Sequence, residues 1–279
     1  NRKITHIYPA NSLQQGFIFH SLKNLDNNNN NDNAYKVQLF LNYNTELNIN
    51  LYKLSWEYTI KKYPSLRTCF NWEEIPIQIT YNEGTLIFIE YDISNELNKN
   101  LKLKQIQEED KKIKYNLNET KLFRISIIKQ NKNEFSILIS YHHSILDGWS
   151  NSILFQSIHN FYKQLLKNEN EKPIIVKEDY SYLETQLFIS KNQNQINKFW
   201  KEKSKLIEQV NDLNSLLNKK VDLDKIVSLQ KPKKSILDIK GNLYQKLKNI
   251  VKSENITMNT LVQFVWHKLI QIYTSDNQT

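Results

Sequence analysis

The chain has 279 residues, a length that at roughly 150 residues per domain allows two lobes or one large α/β unit. Hydrophobic residues make up 39% and charged residues 24%, with 15 Tyr, 12 Phe and 5 Trp, which is enough apolar surface to offset ordering entropy and excludes wholesale disorder. The formal charge of +9 favours acidic partners, but no helix-turn-helix spacing, zinc-finger pattern or RRM aromatic motif accompanies it, so it is read as a lysine-rich solvated face and not as a nucleic-acid interface.

Ser12 can cap a helix running to about Leu22, and the polar run Asn27 to Asn33 after it is too low in complexity to fold alone. Tyr35, Val37, Leu39 and Leu41 alternate as a strand, and Leu47, Leu51, Leu54 and Tyr58 keep helical spacing until Pro64. Leu66 to Trp72, Ile75 to Tyr81 and Thr85 to Tyr91 read as successive strands, separated by short turns such as Asn82-Glu83-Gly84. A charged helix spans about Asn95 to Lys114. Leu122 to Lys129 and Glu134 to Tyr141 then flank Gln130-Asn131-Lys132-Asn133 as a hairpin of buried strands.

Directly after that hairpin comes His142-His143-Ser144-Ile145-Leu146-Asp147-Gly148-Trp149-Ser150, followed by Ile153, Leu154, Ile158, Phe161, Tyr162 and Leu165 at amphipathic helical spacing. The motif therefore sits on a strand-to-helix loop. Pro173 ends this block, and a polar helical stretch from about Tyr180 to Leu206, containing Phe199-Trp200, leads away from it. Lys231-Pro232-Lys233-Lys234 reads as a linker, Ser235 to Ile239 as a candidate strand, and Thr257 to Tyr273 as a helix with Leu261, Val262, Val265, Trp266 and Leu269 on its buried side. No internal repeat is found.

Single residues narrow the chemistry. One cysteine, Cys69, excludes an intrachain disulfide framework, a Cys-based zinc ribbon and a CxxC redox pair. No apolar run approaches the roughly 18 residues needed to span a bilayer, and the first twenty positions lack a basic n-region and a small-residue cleavage site. A soluble cytoplasmic protein without a membrane partner is expected. Glycine is scarce, so each of Gly16, Gly84, Gly148 and Gly241 is expected to mark a positive φ or a close backbone approach. The first residue is Asn and the last five are polar, which reads as a piece of a longer polypeptide.

Adjacent histidines at a strand end point to opposite faces, so only one of His142 and His143 can enter a given cleft. Residue types alone leave two readings, a hydrogen-bonded core pair or one catalytic imidazole with a structural neighbour. Two side chains on opposite faces cannot chelate one ion and there is no HExxH, so no metal site is expected. Gly148 allows a tight backbone approach after Asp147, whose carboxylate can orient the loop by pairing with a buried cation.

At these residues the chain resembles a family. His142 to Ser150 is similar to the HHxxxDG signature of the condensation domains of non-ribosomal peptide synthetases, including the usual Trp-Ser continuation. Tyr8 to His20 resembles a first motif commonly written YPLSPMQQGMLFH. Lys62 to Phe70 resembles RHExLRTxF, departing from it at the first three positions. Leu122-Phe123-Arg124 matches a PLFR stretch, Phe199-Trp200 resembles the YW of a bridging helix, and Ile256 to Tyr273 resembles the helix that opens a second lobe.

The resemblance implies an α/β fold like chloramphenicol acetyltransferase, a two-layer sandwich with the N-terminal lobe complete over 1–172. Bridging helices and a linker would follow over 173–234, and a truncated C-terminal lobe over 235–279. It implies amide-bond formation between aminoacyl thioesters delivered by upstream and downstream peptidyl carrier domains, beside an adenylation domain in the same module. The carriers would bring phosphopantetheine arms, and no cofactor would be bound by the domain itself. His143 would face the tunnel between the lobes as base or positioning acceptor, and His142 would be structural. Asp147 would pair with Arg67, Gly148 would leave room for the arm, and Trp149, Ser150 and Gln15 would line the tunnel. The VNT-bearing motif and the latch loop are absent, so this piece alone is expected to be inert within an active parent. Competing readings are an epimerisation domain, whose loop usually continues DGVSWR, a free-standing HxxxD acyltransferase, and a non-catalytic carrier-docking remnant.

Overall fold

A computed structural model of the chain describes residues 2–26, 35–167, 174–207, 211–217, 220–222 and 234–276. The runs 27–33 and 231–233, and Pro173, lie outside them. The chain divides into two compact units, Asn1–Gln193 and Asn194–Thr279.

The first unit is built on two sheets. Strands β1 (Ile4–Pro9), β4 (Ile77–Tyr81) and β3 (Thr68–Asn71) form a three-stranded antiparallel sheet in the order β1-β4-β3. Strands β2 (Lys36–Tyr43), β7 (Glu134–His142), β6 (Phe123–Asn131) and β5 (Ile87–Asp92) form the second, in the order β2-β7-β6-β5. Sequence reading finds β3, β4 and β5 in succession but not that β5 leaves its neighbours. It joins the other sheet parallel to β6, and the crossover that a parallel pair requires is the charged helix α3 (Lys99–Lys112).

Strand alternation assigns the two faces of the larger sheet. Ile137, Ile139 and Tyr141 of β7 join Ile125 and Ile127 of β6 in the main core, against Tyr52 and Trp56 of α2 (Ile49–Lys62) and Leu154 and Ile158 of α4 (Gly148–Lys167). Leu138 and Ile128 turn to the opposite face and pack with Ile93 and with Ile106 of α3. A strand buried on both sides reads as a continuous apolar run, as Ile137-Leu138-Ile139 does at the middle of β7.

Helix α1 (Ser12–Asp26) starts one residue earlier in function than the sequence suggests. Its cap is Asn11 and not Ser12: Asn11 Oδ1 accepts from the Gln14 N–H at 2.9 Å while Gln14 Oε1 accepts from the Asn11 N–H at 2.9 Å, a reciprocal capping box. The polar helical stretch after the linker divides into α5 (Ser181–Lys191) and α6 (Gln193–Ser204). α5 belongs to the first unit and packs on β1, with Tyr182 edge-on to Tyr8 at 6.2 Å. Of the four glycines, Gly84 shows close approach, since a Cβ there would lie 2.9 Å from both Arg67 Cβ and Ile60 Cγ2. Gly148 shows neither expected constraint: nothing lies within 4 Å of its Cβ position.

The second unit contains most of α6, a 3₁₀ turn at Leu213–Leu216, α7 (Gly241–Ser253) and α8 (Met258–Thr274). Thr257 caps α8, its hydroxyl accepting from the Thr260 N–H at 3.1 Å. Residues 235–239 are not a strand, because no neighbouring strand among the described residues offers a ladder. Most of the expected buried side of α8 is exposed, Trp266 at 56% and Val265 at 56%, while Leu261 is half-buried.

Candidate functional site

β7 carries both histidines to the end of the larger sheet, and alternation separates them. His142, the last residue of β7, pairs with Lys36 of β2 and is buried at 4%. Its Nδ1 accepts from the Ser144 N–H at 3.2 Å and stands 2.8 Å from Ser144 Oγ, so the ring proton resides on Nε2. Phe17, Tyr35 and Tyr115 meet the ring edge-on. Burial first, then electrostatic coupling to His143 and to Lys36, push its pKa down to about 4.

This depression has a consequence for stability. The unfolded imidazole titrates near 6.5, so between that value and about 4 the unfolded chain binds a proton that the folded chain refuses. Stability is then insensitive to His142 above pH 6.5 and falls below it, by about 2 kcal/mol at pH 5. Urea unfolding at pH 7 and pH 5 measures the drop; His142→Asn should abolish most of it, and an unchanged slope in that variant would disprove the assignment.

His143 follows the strand and is held at three points. Its backbone N–H donates to the Tyr35 carbonyl at 2.7 Å, from a residue at φ 61°, a left-handed backbone that costs a tyrosine about 1–3 kcal/mol. The Phe17 ring stacks on the imidazole at 5.6 Å and 24°. Nδ1 lies 2.8 Å from the Leu146 carbonyl, and a carbonyl only accepts, so Nδ1 bears a proton and in the neutral ring the lone pair is on Nε2. The neighbouring histidines thus hold opposite tautomers.

His143, not His142, lines a cleft of about 350 Å³. Leu66, Leu146, Ile153 and Phe17 supply apolar wall, and Gln78 and Tyr182 supply polar groups. Space, an apolar lining and a few convergent polar groups are the ordinary features of a small-molecule site.

Around it, several expected placements change. Asp147 does not pair with Arg67. Asp147 is exposed and caps α4, its Oδ1 accepting from the Ser150 N–H at 2.8 Å and from Ser150 Oγ at 2.6 Å; these bonds, side-chain first, hold its carboxyl below the usual range. Arg67 is buried at 1% and spends its fork elsewhere. It donates to the Ile60 carbonyl at 3.2 Å, the Lys61 carbonyl at 3.3 Å, the Tyr81 carbonyl and Glu178 Oε2 at 2.5 Å. The physical reason is helix polarity: Asp147 satisfies the N-terminus of α4, and Arg67 satisfies the C-terminus of α2. Through Glu178, Arg67 is tied to the segment leading into α5.

Ser150 lines the cleft beside Asp147, whereas Trp149 is 85% exposed and outside the lining. Gln15 is also outside it, exposed and donating to the Ala10 carbonyl at 2.9 Å. The glutamine in the cleft is Gln14. Its place is legible from spacing, because Gln14, Phe17 and Ile18 share one face of α1 at i, i+3 and i+4.

A second buried polar group went unread in the sequence. Asp110 of α3 accepts from Arg124 Nε at 2.7 Å, from Gln38 Nε2 at 2.6 Å and from Ser140 Oγ. Arg124 lies over the Tyr115 ring at 4.9 Å, and Tyr115 in turn meets His142. The signal was present in α3, where Asp110 stands one turn after buried Ile106 and so on the same face.

Among the described residues, no three His, Cys, Asp or Glu side chains are grouped to hold a metal ion, and no helix is long and apolar enough to cross a membrane. Comparison with known proteins agrees with the fold. Over its whole length the chain is 31% identical across 287 residues to N-(5-amino-5-carboxypentanoyl)-L-cysteinyl-D-valine synthase of Penicillium rubens, of which it covers 8%. A synthase of the same name from Amycolatopsis lactamdurans is 31% identical over 97% of this chain and 7% of its own. The crystal structure of the starter condensation domain of rhizomide synthetase RzmA superposes with a TM-score of 0.60 at 14% identity, over 75% of this chain and 52% of that one. Residues 4–279 match the family described as condensation domain, and the chain with its His142-His143 loop belongs to that family.

Proposed function

We propose that this chain supplies the histidine-bearing wall of a site that joins two carrier-bound acyl groups, by attack of an acceptor amine on a donor thioester. The observation that carries it is the His143 tautomer: Nδ1–H is spent on Leu146, leaving the Nε2 lone pair on a ring that lines the cleft. In the reaction the amine nitrogen forms a bond to the thioester carbonyl carbon, and the carbon–sulfur bond breaks. His143 Nε2 accepts the amine proton, and the departing thiolate takes up a proton. As base or as acceptor orienting the amine, the same nitrogen is used. Family membership and the synthase relatives support this reading.

The substrates are phosphopantetheine thioesters on upstream and downstream carrier domains, with an adenylation domain in the same polypeptide to load them. Ser150 stands on the cleft wall, where an arm would pass. His142 and Arg67 are structural, and Asp147 fixes the start of α4.

The test uses the full-length polypeptide that carries this chain, with loaded donor and acceptor carriers, followed by mass spectrometry of the acceptor thioester. A condensed acyl-aminoacyl thioester is expected. Loss of configuration or deuterium uptake at the α-carbon, without amide formation, would replace this reading with epimerisation; neither product would leave a docking role.

A further inference from the structure

We infer that Gln14 is a positioning residue for His143, acting through the Ser144 carbonyl; the inference rests on the role proposed for His143. Gln14 is buried at 5% and its partner Gln78 at 1%. Its carboxamide is fully used: Oε1 accepts from the Asn11 N–H at 2.9 Å, and Nε2 donates to Gln78 Oε1 at 3.0 Å and to the Ser144 carbonyl at 3.0 Å. Gln78 continues the chain of bonds, its Nε2 lying 3.2 Å from the Pro9 carbonyl and 3.3 Å from Tyr182 Oη.

Ser144 is the residue after His143, and Leu146, two residues further, provides the carbonyl that fixes the tautomer. The two carbonyls belong to one short turn, so a displaced Ser144 peptide shifts the chain path that brings the Leu146 carbonyl to Nδ1. Gln14 therefore sets the direction of the Ser144 carbonyl, and with it the place at which the Leu146 carbonyl meets Nδ1. Two donors converge from one side chain on a strand residue and on the histidine loop, so α1, β4 and the loop are fixed relative to each other. Buried acceptors left without these donors are costly, and the loop can relieve that cost by rotating toward water.

Two substitutions separate positioning from stability. Gln14→Glu keeps an acceptor for the Asn11 N–H, preserving the helix cap, and removes the amide donors; Gln14→Met removes all three bonds at similar length. Imidazole ¹⁵N spectra of the chain should show His143 as the Nδ1–H tautomer in the wild type and as a mixture in either folded variant. In the full-length polypeptide, kcat for amide formation should fall about 100-fold, the scale of a small misplacement of a catalytic group, with KM within about twofold. A folded variant that keeps the wild-type tautomer and kcat, or one that raises KM alone, would overturn the role. Should neither variant fold, the wild type decides: Gln14 side-chain amide protons that exchange as fast as an exposed glutamine's would show that the Ser144 bond is not made. A tautomer change in the variants with no amide formed by the wild type would instead retain the positioning role and reject the proposed reaction.

Discussion

Replacement of His143 by Ala is expected to lower amide-bond formation in the full-length polypeptide by about 10²–10⁴-fold, the usual worth of one positioned acid–base group. The thermal midpoint should move little, because the ring is half-buried at a cleft wall and only its Nδ1 bond and the Phe17 stack are lost. The size of the loss distinguishes base from orienting acceptor. Holding two reactants in line can supply about 7–11 kcal/mol, more than proton transfer gives. A deficit near tenfold would mean that positioning by the walls dominates, and His143→Asn, which can still accept a hydrogen bond, should then recover much of the rate. A deficit beyond a thousandfold, unrelieved by Asn, would assign His143 as the base. Unchanged turnover in His143→Ala would remove the residue from the chemistry.

The features that sequence exposed are those governed by neighbours along the chain. Alternation in Glu134 to Tyr141 implies only that the two rings of the doubled histidine face opposite ways, and it was the resemblance that pointed to His143; the structure buries His142 and has His143 on the cleft wall. Pro64 ended α2, and Thr257 began α8. What depended on distant partners was not legible. Nothing near Arg67 in the chain says that a glutamate at 178 takes its guanidinium, whereas the Asp147–Ser150 cap spans only three residues and was open to reading as a helix start. The exit of β5 into the second sheet is likewise decided by the crossover through α3, a long-range choice. Gln14 against Gln15 is the intermediate case: helical spacing contained the answer, but a motif match treats the two glutamines alike.

The largest effect on stability is expected at Asp110, not at the histidines. Asp110→Ala should cost about 3–5 kcal/mol, since it leaves Arg124, itself 4% exposed, as an uncompensated buried charge. It also strips acceptors from Gln38 and Ser140, which face each other as register partners on the adjacent strands β2 and β7. Burial works against the Asp110 charge, but Arg124, Ser140 and Gln38 together outweigh it and hold the carboxyl below its usual value. A carboxylate depressed on folding stabilises fully above its unfolded pKa, near 3.9, and loses that contribution as pH falls through the folded value. Wild-type stability should therefore drop below about pH 4 with a slope that Asp110→Ala lacks. Replacing both partners, Asp110→Leu with Arg124→Met, should recover part of the single-variant loss, because the unpaired charge and not the missing attraction is the larger cost. Urea unfolding of the three proteins at pH 7 and through the acid range measures all of this. A single-variant loss under about 1 kcal/mol would show the pair to be hydrated and worth no more than a surface ion pair, and the anchoring of α3 behind His142 would have to come from Ile106 and its apolar neighbours alone.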